Sequence, residues 1–380
     1  PKRKEKRNSF SSNFSRLNIP LHGVRLPSFK IEDRYINDLS LPKDISTYDF
    51  LRELCLRRFK HLGLDKGKSK KIYIDRIKYE LEILSELNFV EYILLVWKVV
   101  SYCRENDIPL GLGRGSAAGS MVLFLLQITQ IDPVKYDLFF ERFVSKARAK
   151  KKVVDGVTYL DGSLMCDVDI DVCYYRRVEV LKYLESEFKG STSKILTLNT
   201  LSGKLVMKEC GKVVGGKEES EMNTVSALIP KVFGQVMDIK EACVEVPELA
   251  TWCDKNPKVY NIALKLRNLI KNKGVHPSGI LLSYDKMIES CPCELDSGKE
   301  PVSSFDMNWV SMFNVKLDVL GLRTVSVVHE CCKILKETQG IDLKPEDIDL
   351  DDEFIYQNLF DLKNRHGLFQ IEADANYEVC

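Results

Sequence analysis

The 380-residue chain is 44% hydrophobic, 29% charged and 9% aromatic, with 56 basic and 55 acidic residues. That balance excludes collagen, coiled coil and wholesale disorder, and leaves room for two or three domains with a sizeable core. The longest uninterrupted apolar run, Met121 to Leu126, falls far below the roughly 18 residues a membrane helix needs.

Residues 1–45 mix Ser, Asn, Pro and charge without a sustained period and read as a linker or as the trailing end of something removed. The basic start is followed by neither an apolar stretch nor a small-residue cleavage site, so an intracellular, cytoplasmic protein is expected. The twelve cysteines are scattered and fit reduced thiols. Neither Cys291 with Cys293 nor Cys331 with Cys332 has the spacing of a zinc knuckle. From Thr47 to about Cys103 the apolar residues recur at three and four, which predicts three amphipathic helices. Ser116 to Ile128 then reads as a buried helix, and a further α/β stretch runs from about Val153 to Phe188. Residues 190–272 carry several helical patterns punctuated by Pro230, Pro247 and Pro257. Gly279 to Ser283 and Val315 to Val319 read as buried strands, and an acidic tail follows from Lys344.

The near-neutral total hides a polarity: residues 1–160 carry a surplus of about eleven positive charges and residues 301–380 a deficit of about eight. Basic clusters at Lys2 to Arg7, Lys66 to Lys71 and Lys146 to Lys152 suit a phosphate backbone, although each alone is also what a solvated loop looks like.

The sharpest feature is Leu164 to Val172, where Asp167, Asp169 and Asp171 alternate with Cys166, Val168, Ile170 and Val172. The period of two on a strand sets all three carboxylates on one face and the apolar residues on the other. Three like charges on one face repel, which fits either an exposed edge strand kept soluble by Asp or a divalent cation with hard oxygen ligands, such as Mg²⁺, that neutralises them. A calcium loop is excluded, because Val172 and Val178 stand where Gly and Glu are required. Asp318, with Lys316 on the same face, offers a carboxylate from a second apolar strand, as a two-metal site requires.

Gly111 to Ser120, GLGRGSAAGS, is a glycine-rich turn before a helix, where freed amides and the Ser116 or Ser120 hydroxyl could cradle an anion. It lacks the Gly-Lys-Ser/Thr of a Walker loop and the third glycine of the dinucleotide fingerprint.

Together these segments resemble the C-family replicative DNA polymerases, the bacterial DNA polymerase III alpha subunits. The resemblance lies in GRGSAAGSMVLFLLQITQIDPVKYDLFFERFV (113–144), DVDIDVCYYRR (167–177), HPSGILLS (276–283), KLDVLGLR (316–323) and GLFQIE (367–372), in the family's order. It implies an α/β (α+β) fold: a polymerase beta-like nucleotidyltransferase palm with an inserted helical thumb. The implied layout is a linker after an absent PHP domain (1–45), palm with helical lead-in (46–189), thumb-like insertion (190–272), second palm part (273–325) and the start of the fingers (326–380). It further implies that Asp169, Asp171 and Asp318 hold two Mg²⁺ ions and are catalytic, while Asp167 supports the strand. Arg114, Gly115, Ser116, Gly119, Ser120, Arg142 and Lys316 would bind the nucleotide. Implied partners are primer-template DNA, dNTP, the remaining domains or second chain of a split polymerase, and a sliding clamp engaged through regions absent here. After Glu372 the residues Ala373 to Asn376 depart from the family pattern. Two other readings stay open: a template-independent nucleotidyltransferase and a non-catalytic DNA-binding fragment.

Overall fold

A computed structural model describes residues 22–146, 150–162, 165–232, 235–361, 368–371 and 374–377. The basic run Lys2 to Arg7, Arg148, Leu164 at the head of the Asp-rich segment, and Gly367, Glu372 and Ala373 of the carboxy-terminal resemblance lie outside these residues. The chain divides into two compact units, residues 1–195 with 277–380, and residues 196–276. No helix among the described residues is long and apolar enough to cross a membrane.

In the first unit three long helices span Thr47–His61, Lys70–Glu86 and Val90–Glu105, where the three-four spacing of apolar residues predicts them. Ser46 caps the first, its hydroxyl accepting from the Asp49 N–H. The segment expected as one buried helix over 116–128 is a 3₁₀ turn, Gly115–Gly119, followed by the short helix Met121–Leu125. Two strands, β1 (Lys151–Val154) and β2 (Val157–Leu160), form an antiparallel hairpin. Its turn, Asp155-Gly156, has φ +50° and +77°, the left-handed pair a two-residue hairpin loop demands.

The central sheet has six strands. In chain order they are β3 (Asp169–Cys173), β4 (Thr192–Thr200), β7 (Ile270–Leu282), β8 (Cys293–Leu295), β9 (Pro301–Asp306) and β10 (Val315–Leu322), and a small pair, β5 (Lys231–Val232) and β6 (Gln235–Val236), lies apart from them. The spatial order is β3-β10-β7-β4-β9-β8, with β10 parallel to β3 and antiparallel to β7. One face of β3 and β10 packs on the helices of the first unit, where Ile170, Val172, Leu317 and Val319 join Phe50, Leu84, Ile93 and Leu123 in one core. The part of residues 1–45 that is described is no loose linker: Val24, Leu26 and Phe29 are buried in that core. A 17-residue helix, Arg323–Gln339, leaves the sheet and ends at Gly340, whose φ of +70° suits a helix stop.

The second unit packs the helices Gly203–Val213, Glu219–Ala227, Ile239–Glu245, Pro247–Lys255 and Pro257–Leu266 around Val206, Met207, Met222, Ile229 and Leu249. Pro247 and Pro257 open their helices, where the missing N–H costs nothing.

Phe50 is fully buried, with the Phe29, Tyr35 and Trp97 rings all around it. Phe50→Ala should therefore lower stability by about 3–5 kcal/mol, read from chemical denaturation. A loss below about 1 kcal/mol would show that the ring does not hold these helices together.

Candidate active site

The carboxylates meet because β3 and β10 run parallel in a register that sets Asp318 opposite Asp169. β3 begins only at Asp169, so Asp167 sits in the extended residues before it. The alternation nonetheless holds, with Cys166, Val168, Ile170 and Val172 all buried. One carboxylate oxygen from each of Asp167, Asp169 and Asp318 lies within 4.8 Å of the others. Asp171, expected as a metal-binding carboxylate, is not one of these three close-set side chains, and Asp167, expected to support the strand, is.

The physical reason lies on the outer edge of β3. Residues 109–111 pair there: the Gly111 N–H donates to the Asp171 carbonyl at 2.9 Å and the Cys173 N–H to the Pro109 carbonyl at 2.8 Å. A Cβ at Gly111 would come within 2.8 Å of the Asp171 Cβ, so only glycine lets the two backbones approach this closely. Asp171 is thereby buried under the glycine-rich segment. Its carboxylate accepts from Arg114 Nε at 3.2 Å, while Arg114 Nη2 lies 3.1 Å from Asp169. Asp318 is held from the other side, by Lys316 Nζ at 2.5 Å and the Ser278 hydroxyl, which donates at 3.2 Å. Arg177 crosses below, its Nε donating to the Val319 carbonyl at 2.7 Å.

Lost hydration raises the Asp167 carboxyl above the ordinary range, and the Asp318 and Asp169 charges add to it against the pull of Lys316 and Arg114. Burial likewise raises Asp169 and Asp171, opposed chiefly by Arg114. The donor set is all anionic oxygen at close spacing, the chemistry that hard divalent cations take. Among the described residues it is the one group of three His, Cys, Asp or Glu side chains with metal-binding spacing.

The glycine-rich turn forms a second feature. Gly113 and Gly115 have φ of +101° and +67°, and a Cβ on Gly113 would strike the Thr129 side chain at 2.8 Å. Gly115, Ser116 and Gly119 then line a recess of about 200 Å³ whose other wall is Asp137, Leu138, Phe139 and Arg142. Arg142 is exposed and has no ion-pair partner among the described residues. Ser120 differs from its expected role. It is fully buried, and its hydroxyl donates to Glu80 at 2.8 Å and accepts from the Leu123 N–H as a helix cap. A larger cleft of about 790 Å³ runs alongside, lined by Gly111, Gly113, Arg114, Asp171, Val325 and His329 among others.

The family model described as "Bacterial DNA polymerase III alpha NTPase domain" matches residues 49–321, a stretch that contains the Asp cluster and the turn. The chain belongs to the bacterial DNA polymerase III alpha family. It is similar to the DNA polymerase III subunit alpha of Ureaplasma parvum, 29% identical over 89% of this chain and 34% of that protein. The Staphylococcus aureus (strain NCTC 8325 / PS 47) subunit is 30% identical over 88% of this chain and 30% of its own length, and the Helicobacter pylori subunit 30% identical over 91% and 29%. The chain thus spans about a third of the length of these DNA polymerase III alpha relatives.

Several contributors to the site escaped the sequence reading. Ser278 and Arg177 lie inside segments that carried the resemblance, yet nothing local announces their contacts. Glu80, which falls with Ile77, Leu81 and Leu84 on the apolar stripe of its helix, carried a visible signal: a carboxylate on a buried face needs a partner.

The raised carboxyls give a signed expectation. Their folded pKa values exceed the unfolded ones, so without a cation their contribution to stability is present at low pH and is lost as pH rises through the raised values. At neutral pH Mg²⁺ should restore it, by about 2.7 kcal/mol at one hundred times its Kd. Thermal melts with and without Mg²⁺ read this, with Asp169→Asn abolishing the difference. A wild-type melting temperature indifferent to millimolar Mg²⁺ would remove the cluster as a cation site.

Proposed function

We propose that the chain carries the nucleotidyl-transfer centre of a DNA-directed DNA polymerase. Deoxynucleotides would pass from dNTP to a primer 3′-hydroxyl, within a longer or split polymerase. The observation that carries this reading is the convergence of Asp318 on β10 with Asp169 on β3 and Asp167 just before it, beside a glycine-lined recess. Two Mg²⁺ ions held by these carboxylates would supply the charge that activates the 3′-hydroxyl and steadies the triphosphate.

The chain's own residues do the rest. Arg114 and Lys316 keep the carboxylates paired and pre-positioned, and as the cations nearest the cluster they are the charges best placed to meet phosphate oxygens. The amides of Gly115 to Gly119, the Ser116 hydroxyl and Arg142 receive the triphosphate, with the backbone close because Gly119 has no side chain. Asp171 acts through Arg114, setting the guanidinium against Asp169. Ser120 shapes the turn from behind. Template and primer phosphates meet the exposed Lys150 just before the hairpin and Lys152 within it, together with Lys66, Lys68, Lys70 and Lys71 at and just before the start of the helix Lys70–Glu86, each contact contributing a log-log salt slope of about −0.9.

Primer extension tests the assignment. Asp167→Asn, Asp169→Asn and Asp318→Asn should each lower incorporation by at least about a hundredfold, because each takes one anionic ligand from the cluster without changing volume. Asp171→Asn should cost less. Full activity in Asp167→Asn together with loss in Asp171→Asn would return the cluster to the grouping first read from the sequence.

Gly119→Val probes the recess. A Cβ there would lie 2.6 Å from the Phe139 carbonyl oxygen, a backbone atom that cannot step aside. Nucleotide KM should rise while the Kd for primer-template stays unchanged. A DNA-binding defect with normal nucleotide KM would mean that the recess holds the strand.

A further inference from the structure

The helix Lys70–Glu86 lies behind the recess and lines neither it nor the carboxylate cluster, yet its residues 76, 79 and 80 reach both walls of the recess. Glu80 is completely buried and collects four donors. These are the Ser120 hydroxyl at 2.8 Å, the Met121 and Val122 N–H groups, each at 2.9 Å, and Arg76 Nε at 2.6 Å. The Met121 and Val122 amides are the otherwise unpaired first turn of the helix that the glycine turn feeds. Burial raises the Glu80 carboxyl and these donors pull against it, so its position is fixed from several directions. Arg76 then spans the recess from below. Its Nη2 donates to the Gly119 carbonyl at 2.7 Å on one wall and to the Leu138 carbonyl at 2.9 Å on the other. Three residues beyond Arg76, the Tyr79 hydroxyl donates to Glu141 at 2.7 Å and its ring meets Phe140 edge-on, which fixes the turn that carries Arg142.

We infer that Arg76 and Glu80 are positioning residues that set the width of the nucleotide recess. The inference rests on the reading of that recess as the triphosphate site. A purely structural ion pair would need no more than one carboxylate and one guanidinium. Here the guanidinium bonds one carbonyl from each wall, and the carboxylate ties down the cap residue and first amides directly behind Gly119. A change in this pair therefore alters the separation of the Ser116 side from the Arg142 side, and binding of a triphosphate held by both depends on it.

Arg76→Lys is the discriminating variant in the intact polymerase. It keeps a cation beside Glu80 but lacks the planar fork that reaches two carbonyls together. Nucleotide KM should rise about tenfold, as for the loss of one charge-assisted hydrogen bond, with kcat and the Kd for primer-template within about twofold of wild type and little change in melting temperature. Glu80→Gln should raise KM and also lower the melting temperature, since it takes the counter-charge from the half-buried Arg76. Arg142→Ala, measured in parallel, separates the two ideas. A raised KM in Arg142→Ala with wild-type KM in Arg76→Lys overturns the clamp alone. Wild-type KM in both overturns the clamp and the recess reading together. A raised KM in Arg76→Lys alone supports the clamp and moves the triphosphate contact off Arg142.

Discussion

Crowding of negative charge on two neighbouring strands is the constraint around which the rest of the first unit is arranged. Aspartates on adjacent strands in register would drive them apart in a groove that has lost part of its water. The protein answers on both sides. Arg114, carried by the glycine-rich segment, sits between Asp169 and Asp171, and Lys316 sits against Asp318 from its own strand. The hydrophobic contribution comes from the opposite face, where alternate residues of the same strands enter the helical core. Strand pairing, apolar packing and charge neutralisation are thus satisfied by one short stretch.

The glycine-rich segment does two jobs with one backbone. At Gly111 it forms an outer partner for β3, and a few residues later it becomes one wall of the recess. Because both features hang on the same ten residues, the cluster and the recess are held in a defined relation without a long-range brace. A side chain at Gly111 or Gly113 would push against Asp171 or Thr129 and disturb both.

Much of this was legible in the sequence, and what was not has identifiable causes. The three helices from Thr47 to Glu105 declare themselves through apolar spacing, and the Asp-rich strand through its period of two. That period could not say which of the three aspartates would meet Asp318, since it puts all of them on one face. The choice depends on the register of β10 and on the pairing of residues 109–111, contacts distant in sequence. Ser120 carries two signals at once: a serine directly before an apolar helical run is a cap signal, and the glycines beside it point toward phosphate, while its hydroxyl here caps the helix. The β1–β2 hairpin was equally visible in Asp155-Gly156 and was passed over in a broader α/β assignment. The second compact unit, residues 196–276, overlaps the inserted segment 190–272 that the family resemblance implies.

The parallel pairing of β3 with β10 also bears on how the chain reaches its native state. The two strands lie roughly 150 residues apart, with all of residues 196–276 between them, so their union closes one of the longest loops in the molecule. Local helices and the inserted unit can form as soon as they are synthesised, whereas β3 must wait with one edge unpaired until β10 has left the ribosome. During that interval its exposed backbone and apolar side chains offer a template for wrong strand partners, and the aspartates on its other face work against such pairing by repelling like strands. The charges that make the centre difficult to assemble would in this way also guard the nascent chain against aggregation.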